Sequence, residues 1–483
     1  MEILVTINDW LWNPLVVLAL GLGLTLTVLT RGVQFRLLPD MLRQIRAGKS
    51  GGKDATEGIS PFQALALTLS SRVGVGNIAG VATAIAAGGP GALFWMGVMA
   101  LLGSALAFVE STVAQIYKRK IDGRFWGGIP YYIERGLGLK WLAVVAAVTT
   151  IALYAVLAPG VQANNITAAI DTATGVSPWI SGVALTAVFA FVVFGGRKRV
   201  VGVADILVPV MAAGYILAAV VVLAVHATEI PGAVALILGS AFGVDSVFGG
   251  IVGAAVAWGV RRAMFSNVAG VGEGTYGSAA ADVSHPVKQG LVQAFSIYID
   301  TLFVCMATGL MIVVTGNYNV VTEDGQQLAD NLPGVEAGAA YTQAAVSSVA
   351  PGVGPVFVAV AITLFAFTTL VAFYYISETA LTYLSRTGVR GGWVLALRLV
   401  MIAVTMYASV QSADLIWAIG DVGYASLAWV NMLCLLFLAK PALRALRDYD
   451  TQRKAGLDPT FDPEKAGIPG ADYWIGDDAP ARR

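Results

Sequence analysis

The chain has 483 residues, 57% hydrophobic and 12% charged, with a formal net charge of zero, two cysteines and two histidines. A soluble globular chain carries about 25% charged residues, so this composition, a mean hydropathy of +0.74 and repeated apolar runs exclude an ordinary soluble protein and predict one that crosses a lipid bilayer many times. The balanced charge gives no basis for a nucleic-acid partner, Cys305 and Cys434 read as small buried hydrophobes, and His226 and His285 lie too far apart in sequence to argue for a His-based metal site.

Met1 to Trp12 holds Glu2 and Asp9 but neither Lys nor Arg. It lacks the basic start of a secretory signal, so the first apolar stretch is expected to stay as a membrane helix. The roughly 20-residue criterion predicts about eleven spans: 12–30, 61–86, 91–117, 141–170, 178–195, 201–226, 246–284 (broken), 289–315, 354–385, 392–409 and 412–438. Stretches near 229–242 and 340–349 are too short to cross and are expected to be re-entrant or surface helices.

Basic residues fall on alternate loops. Arg31, Arg36, Arg43, Arg46, Lys49 and Lys53 follow the first span; Lys118 to Lys120 with Arg124, Arg197 to Arg199, Lys288, Arg386 with Arg390, and the residues after Lys440 mark the others. The intervening loops, including the acidic 317–352, have no Lys or Arg. Basic loops face the cytoplasm, which places the N-terminus outside and the C-terminus inside a multi-pass protein of the cytoplasmic membrane. An odd number of spans satisfies both. The tail from Arg444 to Arg483 is polar and is expected to be solvated and partly disordered.

With the first span set aside, ten remain, in two groups of five. An odd number per group gives the groups opposite orientation, the arithmetic of an inverted repeat. The divisions are 1–59, an accessory N-terminal helix with a basic cytoplasmic loop; 60–226, the first five-helix repeat; 227–440, the second; and 441–483, a cytoplasmic tail. Each group opens with a helix interrupted by glycine and polar residues, over Ser71 to Asn77 and over Ser266 to Gly274. A break inside the bilayer exposes backbone N–H and C=O groups, tolerated only where protein or a water-filled cavity receives them, and a matched pair of breaks marks a transporter binding site. Close helix packing alone would also place Gly74 and Gly76 in a membrane helix. It does not call for the buried amides Asn77 and Asn267 beside both breaks. Free N–H groups at a half-helix start suit a carboxylate, and freed carbonyls suit an ammonium or sodium ion, so the expected ligand is a zwitterion.

At these residues the chain resembles the alanine/glycine:cation (sodium:alanine) symporter family. The resemblance runs from about Ser60 to Lys440. It rests on Ser60-Pro-Phe-Gln-Ala, Gly74-Val-Gly-Asn-Ile-Ala-Gly-Val-Ala-Thr83 and Gly88-Gly-Pro-Gly-Ala-Leu-Phe-Trp-Met96. Phe265-Ser-Asn267, Ala269-Gly270, His285-Pro286, Gln289-Gly290-Leu291 and Ile299 to Cys305 match as well. It implies an all-α, LeuT-type five-plus-five fold with an extra N-terminal helix, and uptake of small neutral amino acids driven by sodium, with no enzymatic activity. It further implies that Gly74, Gly76, Asn77, Gln162, Asn267 and Phe373 bind substrate, and that Val73, through its backbone, with Thr368 and Thr369 binds sodium. Read from the residues alone, Gln162 follows Pro159 by three in an apolar helix, where it either lines a polar pocket or satisfies the carbonyl that proline frees. The two threonines either offer hard oxygen ligands to a hard cation or bond back to their own helix.

Three positions depart from the family pattern: Arg72 where threonine is common, Glu273 where serine is usual, and Val268 in place of a glutamate. Phe373 stands where tryptophan is common and Ala372 where glycine is. A charge within the membrane must face a partner or a cavity, so Arg72 is expected to pair with Glu273 across the two breaks. Two other roles compete: a guanidinium replacing a bound cation, which would make transport sodium-independent or proton-coupled, and an arginine snorkelling to the inner vestibule. Glu110 and Glu378 are expected in structural roles near Lys118 and Arg386. Asp205 is a further acid in an apolar span. Asp300 and Asp421 stay open, with Arg398 a candidate partner for one of them. A channel would need a ring of selectivity groups and an enzyme a nucleophile–base pair or metal cluster; the sequence offers neither.

Overall fold

The computed structural model describes residues 2–50, 58–385 and 391–475. Lys53, the pair Arg386 and Arg390, and the last tail residues 476–483 fall outside them. Eight described helices are long and apolar enough to cross a bilayer: Glu2–Leu29, Ala92–Ile116, Lys140–Thr174, Arg199–Val225, Pro286–Thr315, Gly354–Ser385, Gly391–Ala408 and Ala413–Lys454. The three other expected spans are Pro178–Phe194, of 17 residues, and two interrupted helices. The first is Pro61–Arg72 continued by Ala79–Gly88; the second is Val252–Asn267 continued by Gly274–Ala280. The short stretches fold as Ile230–Ala241 and Ala339–Ser347. This is the all-α membrane bundle that the sequence predicts, broken at the two predicted places.

Local chemistry starts one core helix in each half. Ser60 caps the first interrupted helix by accepting from Gln63 N at 3.1 Å, and Gln63 Oε1 accepts from Ser60 N at 3.1 Å. Pro61 occupies the first helical position, where a missing N–H costs nothing. His285 caps Pro286–Thr315 in the same way, its Nδ1 accepting from Val287 N at 3.1 Å ahead of Pro286. Burial holds the His285 pKa below its ordinary value, against the upward pull of Asp448. The turn at Gly88 to Gly91 needs glycine twice. Gly89 has φ +69°, and a Cβ on Gly91 would lie 2.6 Å from Ala241 N.

The first helix, Glu2–Leu29, lies along the last one. Trp12 Nε1 donates to Asp421 O at 3.1 Å, Asn8 Nδ2 to Ala418 O at 3.0 Å, and Trp429 Nε1 to Leu11 O at 3.0 Å. The basic loop that follows is tied to the same helix: Arg36 meets Asp450 at 2.9 Å, and Asp40 takes Arg453 at 2.5 Å as well as its own neighbour Arg43 at 2.6 Å.

The tail departs from expectation. Its helix runs to Lys454, and the segment after it folds back onto the face that carries the basic loops. Phe461, Ile468, Ala471 and Trp474 are buried. Phe461 N donates to Ser284 O at 3.0 Å and Trp474 Nε1 to Gln115 O at 3.0 Å. Lys288 pairs with Asp458 at 2.6 Å and Arg135 with Asp472 at 2.6 Å. Lys118 is buried beneath this strap. Its ammonium donates to Ala281 O at 2.8 Å and sits over the rings of Phe125, Tyr473 and Trp474. A polar composition hid four apolar anchors, which is why the reading of the tail as solvated fails.

Candidate functional site

The break in the first interrupted helix is held open by side chains from two other helices. Gly74 has φ −138° and ψ −149°, extended backbone that ends the helical ladder after Arg72. A Cβ there would lie 2.6 Å from Thr369 Oγ1 and 3.1 Å from Gln162 Oε1, so only glycine brings the backbone this close. Gly76 is similarly tight: a Cβ there would lie 3.0 Å from Ser266 Cα. Val75 N donates to Gln162 Oε1 at 3.2 Å, and Gly74 N to Asn77 Oδ1 at 2.8 Å. Gln162 reaches the loop because its helix carries a π-helical turn over Ala152–Leu157 just before Pro159, and such turns re-aim the side chains that follow.

Thr368 and Thr369 both donate to Phe365 O, at 2.9 and 3.0 Å. A hydroxyl bonded backward in this way still offers lone pairs to a cation. Phe373 is one turn on from Thr369 and fully buried, its ring 5.0 Å from that of Tyr154. Asn77 is committed elsewhere: Nδ2 donates to Asp300 Oδ1 at 2.7 Å and lies 3.3 Å from Cys305 Sγ. Asp300 sits in the π-helical stretch Tyr298–Cys305.

The second break is a run of left-handed backbone: Val268 at φ +48°, Gly270 at +84° and Gly272 at +90°. For valine this region is sterically costly. Asn267 turns into its own break, Oδ1 accepting from Ala269 N at 3.0 Å and Nδ2 donating to Thr301 Oγ1 at 3.3 Å. The residue that ties this break to the first is Ser266, which donates to Asp300 Oδ2 at 3.1 Å, the carboxylate that Asn77 also reaches.

Around the two breaks lie four buried ionisable groups: Arg72, Glu110, Glu273 and Asp300. The carboxylate within ion-pair distance of Arg72 is Glu110, at 4.0 Å. The expected Arg72–Glu273 pair is therefore not formed at that distance, although Glu273 does lie in the electrostatic field of Arg72. Arg72 is 1% exposed, which overturns the snorkelling alternative. Its Nη1 donates to Gln293 O at 3.3 Å and contacts Ser296 Oγ. Glu110 is likewise not an end-of-helix residue near Lys118. Its Oε2 accepts from Gly270 N at 3.1 Å and Asn431 Nδ2 at 3.2 Å.

On the opposite side of the breaks, Asp421 Oδ2 accepts from Arg261 at 2.7 Å and Arg262 at 2.6 Å. Phe265 packs between Trp417 and Tyr424, ring centroids 4.9 and 4.6 Å away. Arg398 reaches neither open acid; its Nε donates to Tyr374 Oη at 3.0 Å, and Tyr374 donates to Glu378 at 3.0 Å.

The structure thus brings together Gly74, Gly76, Gln162 and Thr369, with Phe373 one turn away. It sets Asn77 and Asn267 as braces of the breaks. Sequence reading missed Ser266, Tyr154 and the central place of Glu110.

A model of the sodium:alanine symporter family matches residues 1–463. The chain is 51% identical over 475 residues to YrbD of Bacillus subtilis (strain 168), covering 98% of this chain and 97% of that protein. It is 47% identical to the sodium/proton-dependent alanine carrier protein of Bacillus sp. (strain PS3), covering 90% and 97%. It is 34% identical to the sodium/alanine symporter AgcS of Methanococcus maripaludis, covering 93% and 97%.

Proposed function

The chain belongs to the sodium:alanine symporter family, and from that membership we propose that it carries small neutral amino acids, alanine and glycine first, into the cell together with sodium. The site is the loop Gly74 to Asn77, with Gln162, Phe373 and Asn267 around the substrate. Val73 O and the hydroxyls of Thr368 and Thr369 are the sodium ligands. The observation that carries this reading is the approach of Thr369 and Gln162 to Gly74, which leaves no room for a Cβ. With these roles the substrate loop and the cation ligands are neighbours, so a ligand at either stabilises the same closed arrangement, and affinity for one rises with the other.

The face with the basic loops is the cytoplasmic one, with the N-terminus outside. The chain comprises two five-helix repeats, 60–226 and 227–440, and rocking of one helix bundle against the other exposes the site alternately. Glycine at positions 270 and 272 lets the second break bend without clashing with its neighbours.

Uptake of labelled alanine into proteoliposomes tests this. Uptake with an inward sodium gradient, lost when choline replaces sodium, is the expected result. Equal uptake in both sinks sodium coupling while leaving transport intact. One observation favours the alternative of proton coupling alongside sodium: the surplus of buried carboxylates around Arg72.

A further inference from the structure

Arg72, Glu110, Asp300 and Glu273 come from four different elements, and all are at least 98% buried. One guanidinium therefore faces three carboxylates. A carboxylate in a membrane interior needs a partner, a set of hydrogen-bond donors, or a proton. The three acids differ in what they receive. Asp300 is dressed by donors, taking Asn77 at 2.7 Å, Thr301 at 2.7 Å and Ser266 at 3.1 Å. Glu110 has the Gly270 and Asn431 donors on one oxygen and Arg72 at 4.0 Å. Neither oxygen of Glu273 accepts a hydrogen bond. The hydroxyls of Ser71 and Tyr154 are its neighbouring donors, but neither meets hydrogen-bond geometry: Ser71 donates to Thr68 O at 2.8 Å, and Arg72 Nη2 lies 4.0 Å from Glu110 without a hydrogen bond.

We propose that Glu273 is a proton-binding residue of the transport cycle, holding one proton while the site is closed and releasing it toward the basic-loop face. This rests on the transport reading above. Binding forms one O–H bond on the Glu273 carboxylate and breaks one O–H bond of a hydronium ion, leaving water, and release reverses it. The protonated carboxyl leaves Arg72 paired with Glu110 and removes the carboxylate that has no donors. Among the described residues no three His, Cys, Asp or Glu converge as metal ligands, so the cluster suits a proton better than a multivalent metal ion. The other ionisable groups near Glu273 are Tyr154 and Tyr424, with Tyr276 beside Tyr154; Tyr132 faces Glu110. Tyr131 lies near Tyr276 and, with Tyr383, lines a pocket on the basic-loop face.

The test uses proteoliposomes with equal sodium on both sides, the potential clamped with potassium and valinomycin, and a pH dye inside. Alanine added outside is expected to acidify the lumen with wild-type protein. Glu273→Gln and Glu273→Ser are expected to cut that acidification at least tenfold, while alanine counterflow persists at a reduced rate. Wild-type counterflow without acidification, or acidification kept by either variant, overturns the assignment and leaves symport standing. Absence of wild-type counterflow overturns the transport reading instead. If neither variant supports counterflow, Glu273→Asp decides: counterflow with acidification supports the proposal, and any other result overturns it.

Discussion

Thr369 carries two jobs in one hydroxyl. It bonds back to Phe365 O at 3.0 Å and faces the glycine where the first helix breaks. If it is a sodium ligand, removing it should weaken sodium more than alanine. Thr369→Ala is expected to raise the half-saturating sodium concentration for alanine uptake roughly tenfold, about 1.4 kcal/mol. Thr369→Ser keeps the oxygen and is expected to restore the wild-type value. A sodium titration of uptake for the three proteins checks this, and an unchanged sodium requirement in the alanine variant removes Thr369 from the cation site. The break glycines could be singled out because Asn77 and Asn267 stand beside them, whereas Gln162 and the threonine pair were named through the family resemblance, since a kinked helix or back-bonding accommodates both types. The partners of Arg72 were not, because a charge in sequence does not say which of several distant acids folding will bring to it.

The interrupted helices owe their shape to backbone conformations that few residues accept. Gly272 has φ +90°, and a Cβ there would sit 2.7 Å from Ile129 Cδ1 and 2.9 Å from Asn431 Nδ2. Gly272→Ala is expected to cost about 1–2 kcal/mol from the left-handed backbone alone and to disturb the amide that holds Glu110. Gly214→Ala is the control, since nothing lies within 4 Å of its Cβ position and alanine favours a helix over glycine by about 0.5–1 kcal/mol. Thermal unfolding in detergent should show the first variant melting lower and the second no lower than wild type; equal melting of both contradicts the strained-break account. The breaks were readable from glycine beside asparagine within apolar runs. The π-helical turns at 152–157 and 298–305 left no such mark. They depend on packing against neighbours, and they are what aim Gln162 and Asp300 at the first break.

At the scale of the whole molecule, charge and hydropathy foretold the helices that cross the bilayer, because each must be long and apolar on its own account. They did not foretell the strap. Phe461, Ile468 and Trp474 are scattered through a polar tail, and their burial follows from the surface that the bundle offers them. The strap, the basic loop after the first helix and the Asp421 pair with two arginines close the molecule at its two faces, with the breaks between. A closed site shared by two ligands makes a thermodynamic demand, since each must tighten the other by the same factor. The most direct measurement is therefore alanine binding to purified protein by calorimetry across a range of sodium concentrations, with sodium binding measured in turn with and without alanine. The account predicts that alanine affinity rises with sodium and that alanine raises sodium affinity by an equal factor. Alanine binding of unchanged strength in sodium-free buffer would contradict it.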